Sequence, residues 1–289
     1  MKTSIAITVL ALTASPAFAA DASTAFDAQI SAEIGYQDNG NNFDEPSTNG
    51  ATYAVNGSVA LPLSQSIGIQ ADVSHSQDLM NLPVGTKLNN KTTAVGAHLF
   101  TRSNEKFLVG LIGQVNFNQV STSGYSIDTN QYFAGGEAQA YLKNVTLTAQ
   151  VAYRKDDLGS FGYSPDSESL SLTGVIATAQ AKLFINSNWS LAAKGEYSHT
   201  NFGAGIGTDV GMNQWRLGLI TERRLSSVPV SIFFKANYGE TKIEEVKLND
   251  TRVVIGVKIN FGSQSLKARD RSGASLEGFK ADTLVPIGL

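Results

Sequence analysis

The chain has 289 residues, with 22 Lys and Arg against 25 Asp and Glu, and no cysteine. The slight acidic balance argues against nucleic acid as a partner, and the missing cysteine removes disulfides as a source of stability. Past the first residues no run approaches the ~20 apolar residues of a membrane helix, and neither helical heptads nor a sequence repeat is present.

Lys2, the apolar run from Ile5 to Leu12 and the small-residue site Ala17-Phe18-Ala19 predict a secretory signal peptide over 1–19, with a mature chain from about Ala20. Alternation of apolar and polar residues begins just after it. Ala28, Ile30, Ala32, Ile34 and Tyr36 share one face; Asp27, Gln29, Ser31 and Glu33 share the other. The same pattern returns near 53–61, 67–73, 95–99, 107–117, 132–142, 145–153, 175–183, 189–197, 215–219 and 230–238. It is weakest at 92–100 and 214–222, and Gly135-Gly136 is a candidate bulge. The last segment is the most regular: Val253, Ile255, Val257, Ile259 and Phe261 face one way, and Arg252, Val254, Gly256, Lys258 and Asn260 the other.

These are about twelve segments of roughly ten residues, the length of a tilted membrane strand. Six loops of about 12 to 19 residues interleave with five turns of about two to five, as in a barrel with short turns at one membrane surface and long loops at the other. No charged residue falls on the apolar face of a segment. Aromatics on that face cluster at segment ends. Tyr36, Tyr53, Phe117, Tyr132, Tyr153, Tyr197, Trp215 and Tyr238 lie beside long loops; Phe107, Trp189 and Phe261 lie beside short turns or the tail. They read as two interfacial girdles. A soluble sandwich or lipocalin-like barrel with its apolar face inward is the competing architecture.

On these residues the chain resembles Gram-negative outer-membrane β-barrels of the porin-like kind, over about 27–261. The resemblance implies an all-β, transmembrane, antiparallel up-and-down barrel, exported to the outer membrane and seated in lipid and lipopolysaccharide. It implies that Val253, Ile255, Val257, Ile259 and Phe261 form the signal read by the barrel-assembly machinery, and that the molecule is a monomer or a homotrimer. One departure stands out: in most members that Phe ends the chain, whereas here a tail runs from Gly262 to Leu289. The expectation is a signal peptide at 1–19, a barrel over 20–261 and a periplasmic tail over 262–289.

The polar face carries the functional reading. Its charged members include Glu137, Arg154, Lys182, Lys194, Glu196, Arg216, Glu222, Lys235, Arg252 and Lys258, and also Asp27, Glu33, Asp72 and Lys106. Acids lean to the first half of the chain and bases to the second. Opposed charges on a water-filled wall suit passive diffusion of small hydrophilic solutes or ions, with the slight basic excess tolerating anions; paired off, the same charges form a plug. Small residues at Gly35, Ala54, Gly68, Gly110, Ala192, Gly218 and Gly256 leave space. A barrel lipase needs a His and a Ser two apart on one wall, but His75, His98 and His199 are followed at that spacing by Gln77, Phe100 and Asn201. No enzyme activity, cofactor or metal is expected. Asp38, Asp44, Glu45, Asp156, Asp157, Asp166 and Glu168 gather acidic charge in two loops without an EF-hand spacing, which leaves a surface-binding or structural barrel as the alternative. The tail, with Lys267, Arg269, Asp270, Arg271 and Phe279, is expected as a free extension, or else as a segment folded up into the lumen.

Overall fold

The computed structural model describes residues 26–41, 48–82, 85–103, 106–158, 171–203, 210–226 and 228–280. The signal-like segment at 1–19 and the loop acids Asp44, Glu45, Asp166 and Glu168 lie outside them. The elements run β1 (Asp27–Asn41), β2 (Thr48–Pro62), β3 (Ile67–Asn81), β4 (Lys87–Ser103), β5 (Phe107–Thr122), β6 (Tyr125–Tyr141), β7 (Val145–Asp157), β8 (Ser171–Asn186), β9 (Trp189–Gly203), β10 (Gly211–Arg224), β11 (Val230–Ile243), β12 (Val246–Phe261) and α1 (Leu266–Ser272).

The twelve strands form one closed barrel, each antiparallel to its chain neighbours, with β1 paired to β12. The seam sets Ala28 opposite Phe261 and Ile34 opposite Ile255. Closure follows from what the outer face is made of. Ile34, Leu111, Leu217 and Leu219 are 62%, 63%, 60% and 59% exposed, and about three dozen other large apolar side chains share that wall. A soluble protein does not leave such a surface in water, and in hydrocarbon an open strand edge would strand its N–H and C=O groups. No helix among the described residues is long and apolar enough to cross a membrane; the crossing elements are strands.

The in-and-out parity read from the sequence holds in every strand, including the two weakest, which are β4 and β10. Val253, Ile255, Val257, Ile259 and Phe261 all face outward. Three local expectations do not hold. The long loops are mostly strand: β5 ends at Thr122 and β6 begins at Tyr125, and β11 ends at Ile243 and β12 begins at Val246. Polar sequence continues the ladder past the lipid-facing band because pairing satisfies backbone groups as well as water does. The register runs unbroken through Gly135 and Gly136; the irregularity falls between Phe184 and Asn186, at the rim beside the turn into β9. Lys106 sits exposed in the turn before β5 and not on the inner face of a strand.

Candidate functional site

The lumen is the one interior of this fold, and it is not empty. Gly262, at φ +97, takes the chain out of β12 in a conformation that a side chain would resist, and the tail turns back toward the barrel mouth. Ser265 caps α1 by accepting from the N–H of Ala268 at 3.1 Å. The helix lies across the short-turn mouth. The Lys267 N–H donates to the Ser187 carbonyl at 3.1 Å, and Arg271 donates to the Leu142 carbonyl. Two ion pairs anchor it from within: Arg269 to Glu222 at 3.1 Å and Asp270 to Lys182 at 2.7 Å. The expectation of a tail hanging free in the periplasm is therefore corrected for its described part. Residues 262–280 are held by the barrel, because the inner wall offers them apolar and charged partners that bulk water does not.

Past α1 the chain climbs the inner wall in extended form. Arg102 donates to the Gly273 carbonyl at 3.1 Å, and Asp27 accepts from the N–H of Ala274 at 2.9 Å. Leu276 packs with Phe100, Leu108 and Tyr141. Phe279 packs with Ile112, Phe133, Ala152 and Ile176, its ring stacked on Phe133 at a centroid distance of 5.3 Å. Between these patches His98 is fully buried, its Nδ1 2.8 Å from Glu137 and its Nε2 2.7 Å from Asp72. The other two histidines are on the outward face, His75 beside the Thr93 hydroxyl at 2.9 Å and His199 beside Asn213 at 2.8 Å.

The opposite side of the lumen is open. A cavity of about 230 Å³ lies between the tail and the inner faces of β8–β12, β1, β2 and β3, lined by seven bases and six acids. Most of these are paired, three along the wall, Glu33 with Lys235 at 2.6 Å, Glu222 with Lys258 at 3.0 Å and Glu196 with Arg216 at 3.2 Å, and one from the tail to the wall, Glu277 with Lys194 at 3.2 Å. Lys235 and Lys258 also sit over the face of Phe233, at 4.7 and 5.5 Å. Lys194, and after it Lys182, hold the Glu277 carboxyl well below the usual carboxylate range.

The ten charged residues read as pore-lining therefore divide. Lys182, Lys194, Glu196, Arg216, Glu222, Lys235 and Lys258 face this cavity. Glu137 and Arg154 point inward but are sealed on the filled side, Arg154 against Asp156 at 2.6 Å. Asp156 is thus a strand residue and not a loop acid. Arg252 points inward and reaches Asp78 at 2.8 Å. Not all of the space expected from small residues is there: the Phe100 ring lies over Gly68, the Phe100 Cβ and the Glu137 carboxylate crowd Gly110, and the Phe233 ring lies over Gly256. Tyr36, Tyr53, Phe117, Tyr132, Tyr153, Trp189, Tyr197 and Tyr238 are exposed on the outer wall, and Trp215, half-buried there, leans on Tyr238 at 5.5 Å.

Sequence reading did not find Leu276, Glu277 or the glutamines that hold the tail; it named Phe279, with a tail folded into the lumen as one alternative, and His98, but not the contacts they make. A signal existed. Phe100, Leu108, Ile112, Phe133 and Ile176 all fall on the polar face, where a water-filled lumen has no use for them.

No family model and no curated protein matches the chain. Among solved structures it is similar to the translocator domain of the autotransporter NalP from Neisseria meningitidis, at 14% identity over 81% of this chain and 88% of that one, TM-score 0.51. It is also similar to the beta domain of the Bordetella autotransporter BrkA, at 9% identity over 82% of this chain and all of that one, TM-score 0.53. At these identities the likeness is one of fold: that of outer-membrane β-barrels.

Proposed function

We propose that this chain is an outer-membrane channel for passive diffusion of small hydrophilic solutes or ions, narrowed from within by its own C-terminal segment. The observation that carries the reading is the asymmetry of the lumen. One side is closed by apolar packing, while the other keeps a charge-lined cavity of about 230 Å³ beside the tail. Packing has no need of such a cavity; a path for hydrated solutes does. Its lining of seven bases to six acids supports a slight preference for anions. The apolar outer wall supports residence in the outer membrane, with the final strand as its assembly signal.

The test is planar-bilayer recording of the purified full chain, together with swelling of liposomes that contain it. Small, regular conductance steps with weak anion selectivity are expected, and swelling with monosaccharides faster than with trisaccharides. Membranes that stay silent, with liposomes swelling no faster than protein-free ones, would remove the channel. A second reading, a structural barrel that does not conduct, draws on the extent of tail docking, and the silent outcome would favour it.

A further inference from the structure

The extended part of the tail has no strand for a partner. Every barrel strand satisfies its backbone through two neighbouring ladders, but residues 274–280 satisfy theirs largely through side chains. Three glutamines on alternate strands supply them. Gln70 of β3 donates to the Leu276 carbonyl at 2.8 Å and accepts from the Leu276 N–H at 3.3 Å. Gln114 of β5 donates to the Phe279 carbonyl at 2.5 Å and accepts from its N–H at 2.8 Å. Gln150 of β7 donates to the Glu277 carbonyl at 2.7 Å. In Gln70 and Gln114 a side-chain amide imitates the paired N–H and C=O of a neighbouring strand.

The same amide nitrogens also serve the wall. Gln70 donates to Asp72 at 2.9 Å, Gln114 to Asn116 at 2.6 Å and Gln150 to Glu137 at 3.1 Å. One recurring arrangement thus gives each glutamine a wall partner and a tail partner. On the tail side the fit is close. A Cβ at Gly278 would lie 2.2 Å from the Gln114 Oε1, so only glycine passes there with that bond intact.

We propose that Gln70, Gln114 and Gln150 form a peptide-binding site that reads the backbone of an extended segment, with apolar pockets for Leu276 and Phe279, and that residues 274–280 of this chain are its exchangeable occupant. Two features make the occupant removable. With the segment gone, each glutamine nitrogen keeps its wall partner, and the freed amide oxygens of Gln70 and Gln114 meet the water that takes the segment's place. The helix before it is anchored separately, by Arg269–Glu222 and Asp270–Lys182 at the mouth, so the strap can leave from Gly273 onward while its tether stays. A tethered ligand rebinds at high effective concentration, which keeps the closed form dominant and the exchange reversible. Release would widen the lumen; that consequence rests on the channel reading, whereas the peptide site does not.

The chain has no cysteine, so Ala274→Cys, at a position 1% exposed while the segment is docked, provides a unique thiol whose labelling by a membrane-impermeant maleimide reports release. In this full-length background slow labelling is expected. Gln114→Leu should speed it about tenfold, the loss of one buried hydrogen-bonded pair. Gly278→Val should do the same from the tail side without touching the barrel, and so remains informative if a wall variant fails to fold. Excess synthetic peptide of sequence GASLEGFK should speed labelling by competing for the site. Equal labelling rates in all variants that still give a heat-modifiable folded band, with no response to peptide, would overturn the proposal. Accelerated labelling in a barrel that never conducts would uphold the strap and remove the channel; conduction with uniform labelling would do the reverse.

Discussion

On one side of the lumen Phe100, Leu108, Ile112, Phe133, Tyr141 and Ile176 are buried against the tail; on the other Lys182, Lys194, Glu196, Arg216, Lys235 and Lys258 face an open cavity. Both sets occupy inward positions of the same strand alternation. Parity therefore says which side chains leave the lipid and nothing about whether they meet water. That is settled by what else enters the barrel. Where the tail lies, inward positions behave as a protein core; where it does not, they behave as a solvated, ion-paired surface.

The comparison is broken most severely from the filled side. Phe279→Ala empties a pocket shared by Ile112, Phe133, Ala152 and Ile176, and is expected to cost about 3–5 kcal/mol of tail docking. The measurement is the temperature at which the folded band converts on a gel, together with a rise in single-channel conductance. Glu222→Gln comes next. It leaves Arg269 and Lys258 facing a neutral amide in a buried place, a loss of about 3 kcal/mol, and should loosen α1 at the mouth while β10 stays paired to β9 and β11. Thermal unfolding followed by a probe on α1 would detect it; unchanged melting would mean that the pairs are not what holds the helix.

Lys235→Gln sharpens the comparison from the open side. Its pair with Glu33 is partly solvated, so stability should change by less than about 1 kcal/mol while the reversal potential in a salt gradient moves toward cations. A large stability loss with no change in selectivity would mean that this wall is core after all. The smallest effect is that of acid. Glu277 has its carboxyl pKa depressed by Lys194 and Lys182, so its contribution to docking is complete above the ordinary value of 4.5 and is lost as pH falls below it. Lowering pH from about 7 to about 3 should speed strap release, read by thiol labelling of Ala274→Cys after correction for intrinsic thiol reactivity. Glu277→Gln should flatten that dependence.

Much of the barrel was legible because membrane strands obey a simple rule. The alternation of Val253, Ile255, Val257, Ile259 and Phe261, and its echoes upstream, identified every strand and the outward face of each. Loop lengths were less legible. Polar residues such as those of β5 beyond Phe117 read as loop, yet pair as strand once a neighbour supplies hydrogen bonds. The tail was the least legible, because its seven-residue helix and its extended part have no periodicity of their own.

By itself the sequence determined which side chains could face hydrocarbon, since a period of two and the absence of charge on one face are local properties of each strand. It also carried the inward apolar residues that called for a partner. Only the tertiary structure decided what that partner was: Leu276 and Phe279 meet Phe100 and Phe133 from far along the chain, and contacts so distant are set by the closure of the barrel around them. The division of one lumen into a packed side and a charged one follows from that closure, because water fills only the part of the interior that the tail leaves vacant.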